Sequence, residues 1–340
     1  MSMLFRPAKI PARYRDLFEK IKSKGIRLDA MCNIYRGIWT GVLHVFVVTE
    51  DTVNEWNLEN GALRRIIRGK DISPFGYQWT GRWVIYTNQV DFEKKYPNAI
   101  RYLEQYKMIL QRRGAVWIYR KKWWELEEAL DPKMFEVEKI ISPYVSRFNA
   151  FAYDNKKFYM MDSTVIIRFW DSQENKKIYF EKWRETNDPK LDIATILDAS
   201  ENAISELNNS SSPMKYLLGI LNSEIVEFYF KQYAQRLTKR SRRPPKGRYY
   251  LYIPPYLNVI PIAIGDKTTR EEIISIVKNL EGEMEALIRV KNDPEKKEER
   301  EKLEIRFQET YGKLNEKVYS LYELDDKDVA MIQTFILKKR

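Results

Sequence analysis

The spacing of apolar and polar positions predicts a chain in which helices alternate with β-rich stretches. Pro11–Lys24 has apolar residues at helical spacing, with a proline near the first turn and Gly25 at its end. Several later segments are rich in β-branched and aromatic residues, which favours strands. The segments predicted as strands are Leu28–Tyr35, Leu43–Thr49, Trp83–Tyr86, Phe135–Ile141 and Lys157–Phe169. Together with the helices, they predict an α+β fold, a mixed α/β domain with a helical appendage at its C-terminal end.

Two further helices are predicted between these strands and the tail. Asn98–Arg113 carries Ile100, Leu103 and Leu110 on one stripe. A strongly apolar helix begins at Ser212-Pro213 and continues to Tyr229. A stretch interrupted by prolines, Tyr249–Ile264, is predicted to be extended.

The character of the chain changes at Asp266. Thr268 and Glu271 have the spacing of a capping box, and apolar residues at helical spacing follow. Lys291–Arg306 is a dense run of both charges and predicts a solvated helix or a helical joint. Asp328–Leu337 is predicted as the final helix.

Length and charge divide the chain into three regions. The 340 residues suggest one large domain with an appendage, or two domains. Residues 266–340 hold 16 basic and 18 acidic residues, whereas residues 1–265 hold 43 and 30. We therefore expect an N-terminal helix or linker at 1–24, a basic domain at 25–265, and at 266–340 a helical region that binds a protein partner or forms a dimer.

Cysteine and histidine usage excludes several kinds of site. Cys32 and His44 are the only residues of their types, so a structural zinc site, which needs about four such ligands, is excluded. Disulfides within the chain are excluded too, which indicates a reducing compartment. With no apolar stretch near the ~18 residues of a membrane span and no visible signal peptide, a cytoplasmic protein without a membrane partner is expected.

The most basic stretch is Arg236–Arg248, which holds seven positive charges and no negative ones. Two adjacent prolines and Gly247 keep it out of a helix or a central strand, so an exposed loop is predicted. Such a loop suits a polyanion, and nucleic acid is the commonest large polyanion in a cell. The alternative is a solvated basic loop with no partner.

Six short segments follow one another in an informative order. They are Gly37–Gly41 with Phe46, Leu63–Ile72, Tyr96–Arg113 with Trp123–Leu126, Lys139–Ile141 with Phe151–Asp154, Tyr216–Tyr229, and Leu314–Leu324. In this order they resemble the target-recognition domain of TaqI-type adenine DNA methyltransferases, a domain that also occurs in single-chain restriction–modification enzymes and is related to type I restriction specificity subunits. The resemblance covers roughly residues 25–335, although Val42 stands where that family usually has an asparagine.

The resemblance implies a recognition domain that places loops in the major groove of double-stranded DNA, where base edges distinguish all four pairs. The basic loop is expected to contact chiefly phosphates, which set register and most of the affinity. Its candidate residues are Arg236, Lys239, Arg240, Arg242, Arg243, Lys246 and Arg248. Three other turns supply the candidates Arg36, Trp39 and Thr40, then Arg68, Lys70 and Asp71, then Arg147 and Asn149. Turn capping is the alternative role for Asp71, and partial core burial is the alternative for Trp39.

Catalytic motifs of the methyltransferase part are not found in the sequence. That part needs a Gly-rich turn for the methyl donor and a polar residue before Pro-Pro-aromatic, whereas Ile253 precedes Pro254-Pro255-Tyr256 here and offers no acceptor for an amine. We therefore expect a specificity component that is non-catalytic on its own. S-adenosylmethionine and Mg²⁺ would belong to a partner chain, a methyltransferase or nuclease subunit bound through residues 266–340.

Two alternative functions stay open. A restriction endonuclease with a divergent metal site would use acidic residues close to a lysine. The triplets that fit loosely are Glu93–Lys95, Asp131–Lys133, Glu174–Lys176 and Asp188–Lys190. The second alternative is a non-specific nucleic-acid-binding protein that stacks bases on its tryptophans and tyrosines.

Overall fold

The computed structural model describes residues 10–187, 189–236 and 249–339. Within these ranges the strands are β1 Ile26–Arg27, β2 Cys32–Arg36, β3 Val47–Thr49, β4 Leu63–Ile67, β5 Ile72–Ser73, β6 Gly76–Tyr77, β7 Arg82–Ile85, β8 Lys139–Pro143, β9 Val145–Ser146, β10 Ala152–Asp154, β11 Tyr159–Met160, β12 Thr164–Phe169, β13 Tyr250–Leu251 and β14 Pro261–Ile262. The α-helices and single helical turns are α1 Arg15–Ser23, α2 Leu28–Met31, α3 Leu43–Phe46, α4 Glu50–Glu55, α5 Phe92–Lys95, α6 Pro97–Glu104, α7 Lys107–Leu110, α8 Gly114–Trp117, α9 Gln173–Asn187, α10 Ile193–Asn208, α11 Pro213–Asn222, α12 Glu224–Tyr233, α13 Pro254–Leu257, α14 Lys267–Val290, α15 Lys297–Leu321 and α16 Asp326–Lys339. The predicted α+β class is confirmed.

A central antiparallel sheet in the order β10-β8-β12-β2 separates two hydrophobic cores. Successive side chains of a strand point to opposite faces, so a strand buried on both faces feeds two cores. Ile140 and Ile167 pack into one core, whereas Ile141 and Ile166 pack into the other. β12 is a continuous apolar run because both of its faces are covered by a hydrophobic core.

The sheet core lies on one side and is built around a second four-stranded sheet, β11-β4-β7-β3, in which β11 and β4 are parallel. It contains residues such as Phe46, Ile66, Ile85, Leu103 and Tyr159. The helical core lies on the other side and contains residues such as Leu217, Phe228, Val277, Leu314 and Phe335. The two cores place the turns that connect β2, β8, β9 and β12 at the edge of the central sheet.

The helical tail contributes its apolar stripe to the helical core. Val277 of α14 and Leu314 of α15 are fully buried there. Phe335 of α16 meets Phe228 of α12 edge to face, with 5.2 Å between ring centroids, and Tyr14 packs against the same pair. The tail and the N-terminal helix therefore share one core with residues of the predicted central domain. The predicted role of 266–340 in binding a partner stays a prediction.

Two segments predicted as strands begin instead with a helical turn. Leu28–Met31 turns because Asp29 holds Arg27 through two hydrogen bonds, at 2.9 and 2.7 Å, and its own N–H donates to the Asn258 carbonyl. Leu43–Phe46 is likewise a single turn before β3. A turn this short has no periodicity of its own, so contacts distant in sequence decide its conformation.

Long predicted helices are confirmed with breaks that the pattern did not show. The helix predicted over 98–113 splits into α6 and α7, and the one after Pro213 breaks at Ser223, whose hydroxyl accepts from the Val226 N–H and caps α12. The prediction of a capping box at the start of α14 is wrong. Asp266 caps that helix by accepting from the Thr269 N–H at 2.7 Å, and Glu271 accepts instead from the Ser211 N–H.

Candidate DNA interface

The first predicted turn leaves β2 at Gly37. A Cβ at this position would overlap the carbonyl groups of Met160 and Met161, so only glycine allows the two backbone segments to approach. This approach brings Arg36 beside the loop between β11 and β12. The Arg36 guanidinium donates to the Asp162 carbonyl at 2.7 Å and to its carboxylate at 3.2 Å. The side chain stays about half exposed.

The second predicted turn is held by a local ion pair. Asp71 is buried, and its carboxylate accepts from the backbone N–H of Arg68 at 3.0 Å and from the Arg68 guanidinium at 3.1 Å. Arg68 also donates to the Thr80 hydroxyl at 2.9 Å. Turn capping is thus the role that the geometry gives to Asp71, while Lys70 is exposed at the tip of the turn.

Contacts through Tyr144 join the first two turns. The N–H of Gly69 donates to the Ser163 hydroxyl at 3.0 Å, and the Tyr144 N–H donates to the Ser163 carbonyl at 2.8 Å. The Tyr144 ring lies under the Arg36 guanidinium at 4.7 Å, a cation–π distance. The residues around Arg36 and those around Lys70 therefore meet at one loop.

The third predicted turn lies next to the start of the basic loop. β9 pairs with β13, and the Tyr144 carbonyl accepts from the Tyr252 N–H at 2.9 Å. Arg236 forms an isolated bridge with Tyr250, and its guanidinium donates to the Tyr250 hydroxyl at 2.9 Å. Arg147 is half-buried, with its guanidinium 4.8 Å above the Phe148 ring.

Two predicted contact residues are interior side chains. Asn149 is 4% exposed, and its carboxamide donates to the Leu221 carbonyl at 2.7 Å and accepts from the Tyr252 hydroxyl at 2.9 Å. Thr40 is buried, and its carbonyl accepts from the Arg113 guanidinium at 2.9 Å. The expectation that these side chains are presented on exposed turns is corrected, because the fold already uses or encloses them.

Trp39 has a fixed backbone and a partly exposed side chain. Its backbone forms a bridge with Glu128 through hydrogen bonds of 3.1 and 2.8 Å, which fixes the turn. Its side chain is 42% exposed. Trp39 is therefore anchored by its backbone while much of the indole faces solvent.

Most of the basic loop falls outside the residues that the structure describes. The predicted contacts that lie outside it are Lys239, Arg240, Arg242, Arg243, Lys246 and Arg248. The bridge between Arg236 and Tyr250 nevertheless brings the two described ends of the loop together. The end at Tyr250 pairs with Ser146 of β9, and Arg236 lies on the other edge of β13, so both described ends are within two strands of the third turn.

Three residues of this surface have no signal in the sequence. Tyr144, Asp162 and Ser163 connect the predicted turns, yet none stands in a recognisable motif. Their positions depend on the pairing of β12 with β8, in which Thr164 lies opposite Pro143. Only this pairing places the 161–163 loop between the first and second turns.

A cleft of 720 Å³ lies beside the second turn. Arg68 and Arg82 line it together with Trp56 and Tyr106. His44 also lines the cleft from an exposed helical turn, with its ring edge-on to Tyr106 at 6.4 Å between centroids. Two arginines and two aromatic residues thus line the cleft side by side.

Within the described ranges, no three His, Cys, Asp or Glu side chains lie close enough together to hold a metal ion. Of the triplets considered for a nuclease, Asp131 caps a short turn by accepting from the Lys133 N–H, and Lys176 is buried against the Ser200 hydroxyl at 2.7 Å. Asp188 lies outside the described residues. No helix in these ranges is long and apolar enough to cross a membrane.

A comparison with solved structures gives an informative similarity. No family model matches the chain. A solved structure of the Type IIL restriction-modification enzyme MmeI, in complex with DNA, aligns with 92% of this chain at a TM-score of 0.53 and 10% sequence identity. The alignment spans 36% of that enzyme's length. At this identity the similarity concerns the fold alone, and the fold of this chain is related to that of part of a restriction–modification enzyme.

Proposed function

We propose that this chain recognises a sequence in double-stranded DNA for a restriction–modification system, as a domain of the kind found in TaqI-type methyltransferases and type I specificity subunits. One observation carries the proposal. The turns bearing Arg36, Lys70 and Arg147 are joined through Tyr144 to the start of the basic loop at Arg236. Cationic side chains from four separate parts of the sequence therefore belong to turns that are bonded to one another.

The physical character of this surface suits the DNA backbone. Exposed Arg and Lys side chains on turns neutralise phosphates, and the counterions released make the affinity depend on salt. The MmeI structure supports the proposal, because a protein with a related fold was solved in complex with DNA. The described part of the surface is anchored by backbone hydrogen bonds, which limits the ordering cost of binding.

The salt dependence of DNA binding is measured by fluorescence anisotropy with labelled duplexes at increasing salt. We expect a log–log slope of about −5 to −7, if ~6–8 phosphates are neutralised. Replacing Arg36, Lys70 and Arg236 with alanine should make the slope shallower by about 2–3, because each phosphate contact contributes about 0.9.

A matched control removes three exposed cations from the tail. The triple alanine variant of Arg289, Lys297 and Lys302 has the same net charge as the first variant. It should retain the wild-type slope within about one unit. Equal loss in both variants, or a wild-type slope near zero, would remove the assignment of this surface.

Sequence specificity needs its own experiment. Selection of bound duplexes from a random pool should enrich one short motif, because base edges are read in the major groove. A flat profile would favour the alternative of a non-specific nucleic-acid-binding protein.

We further propose that catalysis and its cofactors reside in a partner. Support comes from the segment that imitates the methyltransferase motif. Ile253 and Tyr256 are buried, and the Tyr256 carbonyl accepts from the Tyr233 hydroxyl at 2.6 Å. Incubation of the chain with the selected duplex and labelled S-adenosylmethionine should transfer no label, and incubation with Mg²⁺ should cut nothing. Turnover in a clean preparation contradicts the proposal.

A further inference from the structure

Three large apolar side chains stand side by side on the surface at 117–119. Trp117, Ile118 and Tyr119 are 69%, 71% and 67% exposed. Isolated surface hydrophobics are common, whereas a contiguous exposed apolar group, here at the end of α8 and just after it, is a candidate interaction site. We call residues 114–121 the aromatic loop.

The base of the aromatic loop is closed by hydrogen bonds. The Lys121 N–H donates to the Ala115 carbonyl at 3.1 Å, and the Ala115 N–H donates to the Glu127 carboxylate at 2.9 Å. The Lys121 ammonium donates to the carbonyls of Leu126 and Glu127 at 3.1 and 2.8 Å. The exposed tip therefore projects from a fixed base.

A buried arginine ties this base to the proposed DNA surface. Arg113 donates to the Thr40 carbonyl at 2.9 Å and to the carbonyls of Trp123 and Glu125 at 2.7 Å each. Thr40 belongs to the first predicted turn, next to the half-exposed Trp39. The aromatic loop and the predicted turn are thus parts of one hydrogen-bonded unit.

The charge around the aromatic loop decides the kind of partner. Residues 105–124 contain six basic residues and no acidic residue. Those with exposed side chains are Lys107, Arg112, Arg120 and Lys122, of which Lys122 forms an exposed ion pair of 3.6 Å with Glu93. Protein interfaces are enriched in aromatic residues and arginine but depleted in lysine, so it is the excess of positive charge beside the rings that favours bases flanked by phosphates.

We propose that the aromatic loop is a wedge that inserts Trp117 against a base step of the bound duplex and unstacks it, while Arg112, Arg120 and Lys122 contact the flanking phosphates. The proposal rests on the proposed function, since it concerns the same DNA. Apolar side chains inserted between base steps are a known means of kinking a duplex. A fixed base suits this task, because a loop that yielded on contact would not separate stacked bases.

The test uses duplexes that each carry one 2-aminopurine, whose fluorescence rises when it is unstacked. Wild-type protein should raise the fluorescence at one or two positions of the duplex. Trp117→Ala should abolish that rise and weaken binding about tenfold to a hundredfold, as expected from the loss of one base–aromatic stack. Trp117→Phe should restore most of both effects.

Leu337→Ala is the matched control, because Leu337 is 72% exposed on α16 and also loses apolar bulk. It should bind and unstack the duplex as the wild type does. Both variants should melt like the wild type, since each side chain is largely in solvent.

The outcomes separate the two proposals. Wild-type binding with no 2-aminopurine response, or a response and affinity unchanged in Trp117→Ala, overturns the wedge and leaves the proposed function standing. Loss of self-association in Trp117→Ala with intact DNA binding also overturns the wedge, because it identifies a second copy as the partner. A wild-type protein that binds no duplex at low salt overturns both.

Discussion

Asn149→Ala should destabilise the fold and leave the DNA sequence preference unchanged. The side chain is almost completely buried, and its carboxamide bonds the Leu221 carbonyl and the Tyr252 hydroxyl. Burial holds the pKa of Tyr252 well above its ordinary value, so the phenol stays a neutral donor that needs an acceptor. Alanine removes that acceptor and the donor to Leu221 at once.

The expected loss follows from the two partners that are left unsatisfied. An orphaned buried polar group costs about 1–3 kcal/mol, which gives roughly 2–6 kcal/mol for the pair. The backbone N–H of Asn149 can keep its 3.3 Å bond to Glu227, so that interaction is not counted. With an unfolding entropy of about 2.1 cal/mol/K per residue, the melting temperature should fall by roughly 3–8 °C if the chain unfolds as one unit.

Thermal melting and random-pool selection are measured on the same preparations. Lys70→Ala is the control for stability, because Lys70 is exposed and should melt like the wild type. Combining Asn149→Ala with Tyr252→Phe should cost less than the sum of the single variants, since the unpaired hydroxyl is gone. The reasoning is refuted if Asn149→Ala melts like the wild type and relaxes the preference at a single base pair.

Two further predictions concern the scaffold beneath the surface. Lys139 and Asp154 form a fully buried ion pair of 2.6 Å, and Asp154→Asn should cost about 3–5 kcal/mol by leaving the ammonium unpaired. Burial lowers the pKa of Lys139 while Asp154 opposes the shift, so the variant lowers that pKa further. Between the lowered pKa of Lys139 and about pH 10, the unfolded state binds more protons than the folded state, so stability rises with pH. The urea midpoint of the variant should therefore rise more steeply with pH than that of the wild type. Gly37→Ala presses a methyl group against the carbonyl groups of Met160 and Met161, and it should lower the free energy of unfolding in urea by at least about 1–3 kcal/mol. Gly282 has open space around it in α14, so Gly282→Ala should raise that free energy by about 0.5–1 kcal/mol. Equal pH slopes, or equal midpoints for the two glycine variants, would contradict these arguments.

The elements that the sequence predicts well are those whose apolar stripe is long. The first helix and the tail each bury several residues of one face, and helical periodicity reports that directly. The helix after Pro213 is buried almost all round, and its continuous apolar character identifies it. α9 and α10 were missed. α9 is rich in charged residues, and two of its buried residues, Lys176 and Phe180, give no usable stripe. Its position depends on neighbours, as when Tyr179 donates to the Asp29 carboxylate at 2.9 Å.

The candidate surface is predictable in composition but not in detail. Turn glycines and nearby cations identify the segments, because few residue types suit close backbone approach or phosphate binding. Sequence does not distinguish the exposed Lys70 from the buried Asn149, since the partners of Asn149 lie 72 and 103 residues away. Tyr144 could not be found for the same reason.

Buried polar side chains on α12 support the third turn, which lies near the basic loop. Glu227 and Lys231 form an ion pair on α12 beneath this turn, and Glu227 also accepts from the Asn149 N–H. The Lys231 ammonium lies 5.0 and 5.5 Å from the rings of Phe148 and Tyr250, one on each side of the β9–β13 pairing. Removing either charge would leave the other buried without its counterion, which is costly in a medium of low dielectric constant. The start of the basic loop is therefore fixed by interactions inside the protein, and under the proposed function phosphate binding would not have to order these residues.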